Sequence, residues 1–233
     1  MEHIDKVEGT FGKHDNKDFI AEEVSPAVIR RLPRYHRYLG ELLREDCLRI
    51  SSAELSRLMN VTASQIRQDL NCFGGFGQQG YGYNVKYLYS KISELLGVNE
   101  GFGAVIVGAG NLGKALVSSH MFERRGVTRL ALFDVDEEII GKEVSGIPVL
   151  HIDALEEFCR EHNASIGVLT TPKEEAYKMA TRLASAGIKG IWNFSNMELK
   201  LDSHDVVIQN IHLGDSLMTL CYQLATKKEE TEN

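Results

Sequence analysis

The residues with the plainest chemistry are six in a row, Gly108-Ala109-Gly110-Asn111-Leu112-Gly113. They form a G-x-G-x-x-G that follows the apolar run Ala104-Val105-Ile106-Val107 and opens a helical pattern. In that setting the first glycine allows a tight turn and the second lets backbone amides approach a pyrophosphate. The third lets helix and strand pack closely, with the phosphates at the positive helix end. Asp134 ends the next apolar run, about 20 residues beyond the last glycine, where an acid hydrogen-bonds ribose hydroxyls and repels a 2′-phosphate. These residues predict an NAD(H) site. Thr170-Thr171-Pro172 follow the run Ile166–Leu169, at the sheet edge where ligands of open α/β sheets lie, and are expected to touch the same ligand. Asn193 ends the run Ile188–Asn193 and is either a further contact or a structural turn.

A second set of residues suits double-stranded DNA. Two capping boxes, Ser51-x-x-Glu54 and Thr62-x-x-Gln65, open short helices separated by Asn60-Val61, a connection fit for a helix-turn-helix. With Ile66 and Leu70 buried, Ser64, Gln65, Arg67, Gln68 and Asn71 remain outward to meet bases and phosphates. Arg30, Arg31 and Arg34 of the preceding helix are expected at phosphate. Next, five glycines interleaved with aromatics across 73–83 predict a small β-hairpin or wing, carrying Gln79 and Tyr81 toward DNA.

Composition sets the frame. The 233 residues suffice for two domains, and the net charge of −7 is unevenly spread. Residues 24–91 hold ten basic against five acidic side chains, a net of +5. Residues 1–23 hold three against seven (−4), and the remainder 13 against 21 (−8). A basic head on an acidic body is expected when only one domain meets phosphate. No run of 18 apolar residues predicts a membrane span, and the polar N-terminus lacks an export core, so a cytoplasmic location is expected. Cys47, Cys72, Cys159 and Cys221 have no metal-ligand spacing and are expected as buried thiols. No metal is expected.

The elements that must position these residues follow from the pattern. Residues 1–23 read as a flexible tail, 24–98 as a winged helix-turn-helix domain, and 99–210 as a Rossmann-type doubly wound parallel sheet. Residues 211–226 form a C-terminal helix with a Leu213, Leu217, Leu220, Cys221 and Leu224 stripe, and 227–233 a tail. Ser25-Pro26 starts the first helix, whose stripe is Ile29, Leu32, Tyr35, Leu39, Leu42 and Leu43. Pro33 should kink it or mark its true start. Helices are also expected over 84–97, 111–125, 153–162 and 173–186, and strands over Leu130–Phe133 and Val206–Ile208.

The stretches VSPAVIRRL, ASQIRQDL, FGGFGQQGYGYNV, VGAGNLGKAL, FDVD, GIKGIWNF and NIHLGDSL resemble the Rex family of redox-sensing repressors across about residues 24–226. The resemblance implies a homodimer, joined by Rossmann domains and swapped C-terminal helices, that holds operator DNA until NADH binds. It further implies a ligand-dependent switch. An arginine of the first helix matches Arg37, while the family's tyrosine and aspartate positions hold Ser119 and His212 here. Gln79 and Gln68 stand where the family often has arginine and lysine. His212 is either a surface histidine or a replacement switch partner, and Leu213 begins the swapped helix that would seal an apolar nicotinamide pocket.

Three other readings stay open: a repressor sensing another nucleotide or coenzyme A, a ligand-blind DNA binder, and an NAD-dependent oxidoreductase. Against the last, the chain after the Rossmann strands offers only one helix, and its histidines pair with no recognisable carboxylate.

Overall fold

A computed structural model describes residues 24–73, 77–78, 82–202 and 205–231. The tail 1–23 and the wing positions Gln79 and Tyr81 lie outside the described residues. The chain divides into two compact units that meet between Gly97 and Val98.

In the first unit, α1 (Pro26–Arg44) begins where Ser25 caps it and Pro26 occupies the first turn, a position whose N–H needs no partner. Pro33 does not mark the start: the helix runs through it, with the ring on an exposed face. The pattern also misplaced Ile29, which is exposed, whereas Val28, Leu32, Tyr35 and Leu39 face the core. After β1 (Arg49–Ile50), α2 (Ser52–Met59) opens on a complete capping box between Ser51 and Glu54. Leu55 and Met59 are buried, but Leu58 is exposed.

Asn60 then takes a left-handed conformation (φ 50°) and turns the chain into α3 (Ala63–Asn71). Strands β2 (Gly77–Gln78) and β3 (Gly82–Asn84) pair antiparallel, and β3 also pairs with β1. Asn84 caps α4 (Val85–Leu95), whose Leu88 and Ile92 complete a core with Tyr35, Leu39, Ile66 and Leu70.

The second unit is a seven-stranded sheet in the order β10-β9-β8-β4-β5-β7-β6. Its strands are β4 (Phe102–Val107), β5 (Val127–Asp134), β6 (Glu143–Val144), β7 (Ile147–His151), β8 (Ile166–Leu169), β9 (Gly190–Asn193) and β10 (Val207–Asn210). All neighbours pair parallel except β6 with β7. Alternate residues of β4 feed two apolar clusters, Val105 and Val107 one, Ala104 and Ile106 the other, as a sheet covered on both faces requires.

Between the strands lie α5 (Asn111–Val117), α6 (Leu155–Glu161) and α7 (Lys173–Ser185). The helix expected over 111–125 therefore ends early, at Val117; Phe122 is buried from a turn rather than from helix. The β6–β7 hairpin was not expected. The last helix, α8 (Leu213–Thr231), leaves Leu213, Leu217, Met218, Leu220, Tyr222 and Leu224 about half or more exposed. Of the cysteines only Cys159 is buried, and burial pushes its thiol up to about 11. Cys72 and Cys221 are exposed, so the buried-thiol expectation fails for them.

Candidate functional sites

In the strand order, the chain leaves β4 for β5 on one side while β8 lies on the other, so the crevice between the β4 and β8 ends is a topological switch point. The glycine loop follows β4, and Thr170 follows β8. They meet there. The Thr170 hydroxyl donates within reach of the Gly108 carbonyl oxygen (2.7 Å) and the Val107 carbonyl oxygen (3.1 Å). Gly108 has φ 100°, a conformation that favours glycine. Gly110 has open space where a side chain would stand, and the start of α5 receives no side-chain cap. Its first backbone N–H groups therefore keep the opening an anion needs.

Asp134 sits at the end of β5 and accepts three backbone N–H groups. Ala109 donates to Oδ2 at 2.5 Å, and Val135 and Asp136 donate to Oδ1 at 2.7 and 3.1 Å. The acid thus ties the glycine loop to β5 and keeps about one of its four acceptor sites for a hydroxyl. Thr171 Oγ1 is buried with no hydrogen-bond partner, beside Pro172 at the entrance to α7. A buried orphan hydroxyl at the ligand edge of the sheet is what a bound polar group would satisfy. The open space at Gly110, the uncapped helix start and this orphan hydroxyl together fit a dinucleotide.

Asn193 does not belong with them. Its Nδ2 donates to the Met197 carbonyl and Asn210 Oδ1, and its Oδ1 accepts from the Ser195 N–H and hydroxyl. With its hydrogen-bonding capacity used and 1% exposure, its side chain favours the structural turn over the ligand contact.

The residues matched to a switch are placed as follows. Ser119 lies beyond the end of α5, its hydroxyl accepting the Met121 N–H, rather than on the helix. His212 bonds Glu198 at 3.1 Å just before α8, and this contact holds the Glu198 carboxyl below its ordinary range. Arg37 is exposed, its guanidinium 5.1 Å above the Tyr38 ring. Leu213 is exposed at the start of α8.

On α3, Ser64, Arg67, Gln68 and Asn71 are exposed. Arg30 is exposed on α1. Three expected contacts carry other bonds. Arg34 donates to the Met59 carbonyl at the end of α2 (2.6 Å), and Arg67 donates to the Ser52 hydroxyl (3.0 Å). Arg31 is committed furthest: Nε and Nη2 each lie 2.7 Å from the carboxylate of Asp69.

Asp69 is fully buried and also accepts from the Tyr35 hydroxyl (2.9 Å) and Gln65 Nε2 (2.8 Å). Burial alone would raise its pKa, but the bonds from Arg31, Gln65 and Tyr35 outweigh it and hold the carboxyl below its ordinary value. The Tyr35 phenol is pushed up, first by burial and then by its bond to Asp69. Gln65 therefore does not complete the second capping box: Thr62 accepts the Gln65 N–H, but the Gln65 amide turns to Asp69 instead of back. Asp69 was missed by the sequence reading, although it stands three residues after Ile66 on the buried stripe.

Among the described residues no helix is long and apolar enough to cross a membrane, and no group of three or more acidic, histidine or cysteine side chains could hold a metal.

Residues 23–71 match a family described as "Putative DNA-binding protein N-terminus", and residues 99–197 one described as "CoA binding domain". The chain is 52% identical over 202 residues to the redox-sensing transcriptional repressor Rex of Thermoanaerobacter pseudethanolicus, covering 87% of this chain and 90% of that one. It is 49% identical over 214 residues to the repressor of the same name from Caldicellulosiruptor saccharolyticus, covering 92% and 97%. The structure of RSP in complex with β-NAD⁺ and operator DNA superposes with a TM-score of 0.84 at 48% identity, covering 91% of this chain and 97% of that one. That of RSP with β-NADH gives 0.83 at 45%, covering 91% and 99%. At half identity over nine-tenths of its length, with a helix-turn-helix head and a Rossmann sheet in the same order, this chain belongs to the Rex family of redox-sensing transcriptional repressors.

Proposed function

We propose that this chain is a repressor that binds double-stranded operator DNA as a homodimer and lets go when NADH occupies its Rossmann unit. The observation that carries the reading is the likeness over 91% of the chain to a protein solved with both β-NAD⁺ and operator DNA. In this reading α3 offers Ser64, Gln68 and Asn71 to base edges, and Arg30 meets phosphate. Gln79 and Tyr81 are further DNA contacts in this reading. The Gly108–Gly113 loop takes the pyrophosphate, Asp134 the ribose, and Thr170, Thr171 and Pro172 the crevice wall.

NAD⁺ and NADH differ chiefly in the positive charge of the nicotinamide. An apolar wall supplied by the partner's α8, beginning at Leu213, favours the neutral ring because a desolvated charge is costly. A ligand shifts a two-state dimer only by its difference in affinity for the two states. The regulated molecule is cytoplasmic, where operator and NAD(H) pool meet, and its relatives are repressors rather than enzymes. The test is a gel-shift titration of the full chain: NADH releases the DNA and NAD⁺ does not. Equal release by both would overturn redox sensing.

A second reading has one observation in its favour: residues 99–197 match the "CoA binding domain" family. Calorimetry with NADH, NAD⁺, NADPH and coenzyme A separates the two. The dinucleotide reading expects NADH to bind more tightly than NADPH, because the Asp134 charge repels a 2′-phosphate, whereas the second reading expects coenzyme A tightest.

A further inference from the structure

Asp69 lies on α3, the helix proposed to read DNA, yet it is fully buried. Four hydrogen bonds from three residues account for the whole carboxylate. Oδ2 accepts from Arg31 Nε and the Tyr35 hydroxyl; Oδ1 accepts from Arg31 Nη2 and Gln65 Nε2. A carboxylate has about four acceptor sites and, when ionised, no proton to give. Every site is taken. Three of the bonds clamp α3 to α1, and the fourth runs one turn back along α3 to Gln65.

That fourth bond fixes something a free glutamine leaves undecided. An exposed amide can turn over, exchanging its oxygen and nitrogen. Here a turned-over Gln65 would set its carbonyl oxygen against an oxygen that can only accept, so the nitrogen must face Asp69. What remains is Oε1 and one Nε2 proton, an acceptor and a donor in a single order. Gln65 is the third residue of α3, in the first turn, and is half-buried between exposed Ser64 and Arg67. The N-terminal residues of a recognition helix are the ones that meet base edges. One acceptor and one donor on an amide are what adenine presents partners for, through N6–H₂ and N7.

On these grounds, and resting on the DNA-binding reading above, we infer that Gln65 reads an adenine in each operator half-site and that Asp69 is its positioning residue. Asp69 itself touches no DNA. It holds the amide in one orientation, so an A·T pair is accepted and the reversed T·A pair, which offers no adenine edge at that point, is refused. Arg31 and Tyr35 hold Asp69 in turn, which is why an arginine expected at phosphate is spent inside the head.

The test uses the full-length chain and a duplex that the wild-type protein selects from a randomised pool. Each base pair of the half-site is then replaced in turn and binding measured. Wild type should lose on the order of tenfold when one particular A·T pair is changed. Gln65→Ala should make all bases nearly equal at that pair while leaving the losses at other positions intact. Asp69→Asn, which can offer the amide either edge, should weaken discrimination at the same pair. If Asp69 only holds the fold together, Asp69→Asn weakens every duplex alike, and the positioning role is overturned.

Should Asp69→Asn not fold, the wild-type protein still decides the matter. Its Gln65 side-chain amide, assigned by loss in Gln65→Ala, should show one proton protected from solvent exchange; two freely exchanging protons would overturn the inference. An unchanged base profile in Gln65→Ala, from a wild type that binds its selected duplex, overturns this assignment alone. A wild type that selects no duplex overturns the DNA-binding reading and this one with it.

Discussion

A Cβ placed on Gly113 would stand 2.0 Å from the carbonyl oxygen of Gly108. That contact joins the first turn of α5 to the end of β4, and it leaves no room for even a methyl group. The obstacle is backbone, which cannot swing aside as a side chain could. Gly113→Ala must therefore push α5 off the sheet or distort the loop, at a cost of about 2 kcal/mol or more. The expected result is a lower melting temperature and at least tenfold weaker NADH binding by calorimetry, with operator binding by the head retained.

Asp134 carries two duties, bracing the backbone and repelling a 2′-phosphate, and the NADH/NADPH ratio tells them apart. Its Oδ2 holds the Ala109 N–H, and its charge bars a 2′-phosphate. Asp134→Asn keeps an oxygen for the Ala109 N–H and removes the charge, while turning an NH2 toward the Val135 and Asp136 N–H groups, which loosens the turn after β5. NADH binding should weaken about tenfold, since a hydrogen bond to a charged group is worth about 1.5–3 kcal/mol. NADPH binding should fall less, narrowing the preference between the two. Parallel titrations with both nucleotides check this. An unchanged ratio would mean that the acid only braces the loop.

The Arg31–Asp69–Tyr35 cluster makes the head sensitive to pH from both sides. The Asp69 carboxyl titrates lower in the folded chain than in the unfolded one. It therefore stabilises the fold above about pH 4, the unfolded value, and that stability is lost as pH falls through the depressed folded value. Tyr35 moves the other way, its folded value being raised. Its contribution is present below about pH 10 and is lost as pH rises through the raised value. Arg31→Ala leaves a buried carboxylate without its cation and should cost about 3 kcal/mol. Denaturant unfolding of wild type and variant between pH 3 and 7 should show the difference shrinking toward acid.

How much of this was written in the sequence depends on how local each cause is. The dinucleotide loop was legible because Gly108, Gly113 and the apolar run before them each answer to neighbours a few residues away. The capping boxes were half legible: Ser51 and Glu54 close theirs, whereas Gln65 is drawn off by Asp69. Asp69 itself carries no local sign of burial, because the partners that make it a core residue, Arg31 and Tyr35, lie 38 and 34 positions away. The early end of α5 was hidden by Met121 and Phe122, which keep an apolar rhythm after the helix has stopped. The β6–β7 hairpin was present and overlooked. Ser145 and Gly146, both at positive φ, make the two-residue turn such hairpins need, and the strands were too short to notice.

The exposed stripe on α8 leads to the last expectation. Leu213, Leu217, Leu220 and Leu224 recur at intervals of four, three and four, so they share one helix face, and each is about half or more exposed. A leucine is worth about 1.5–3 kcal/mol when buried, so four on one face make a strong reason to associate, and the same chain's own cores do not include them. A second copy, onto whose Rossmann unit the helix swaps in the reading above, would cover them. Replacing Leu217 and Leu224 together by aspartate puts two charges on that seam and should turn a dimer into a monomer by sedimentation. Each head would keep its own contacts with a half-site, but the gain from binding two linked half-sites would go. Affinity for the full operator should drop by a hundredfold or more, on the scale of lost effective concentration, while affinity for an isolated half-site stays the same. A double variant that still sediments as a dimer would show that α8 is not the seam.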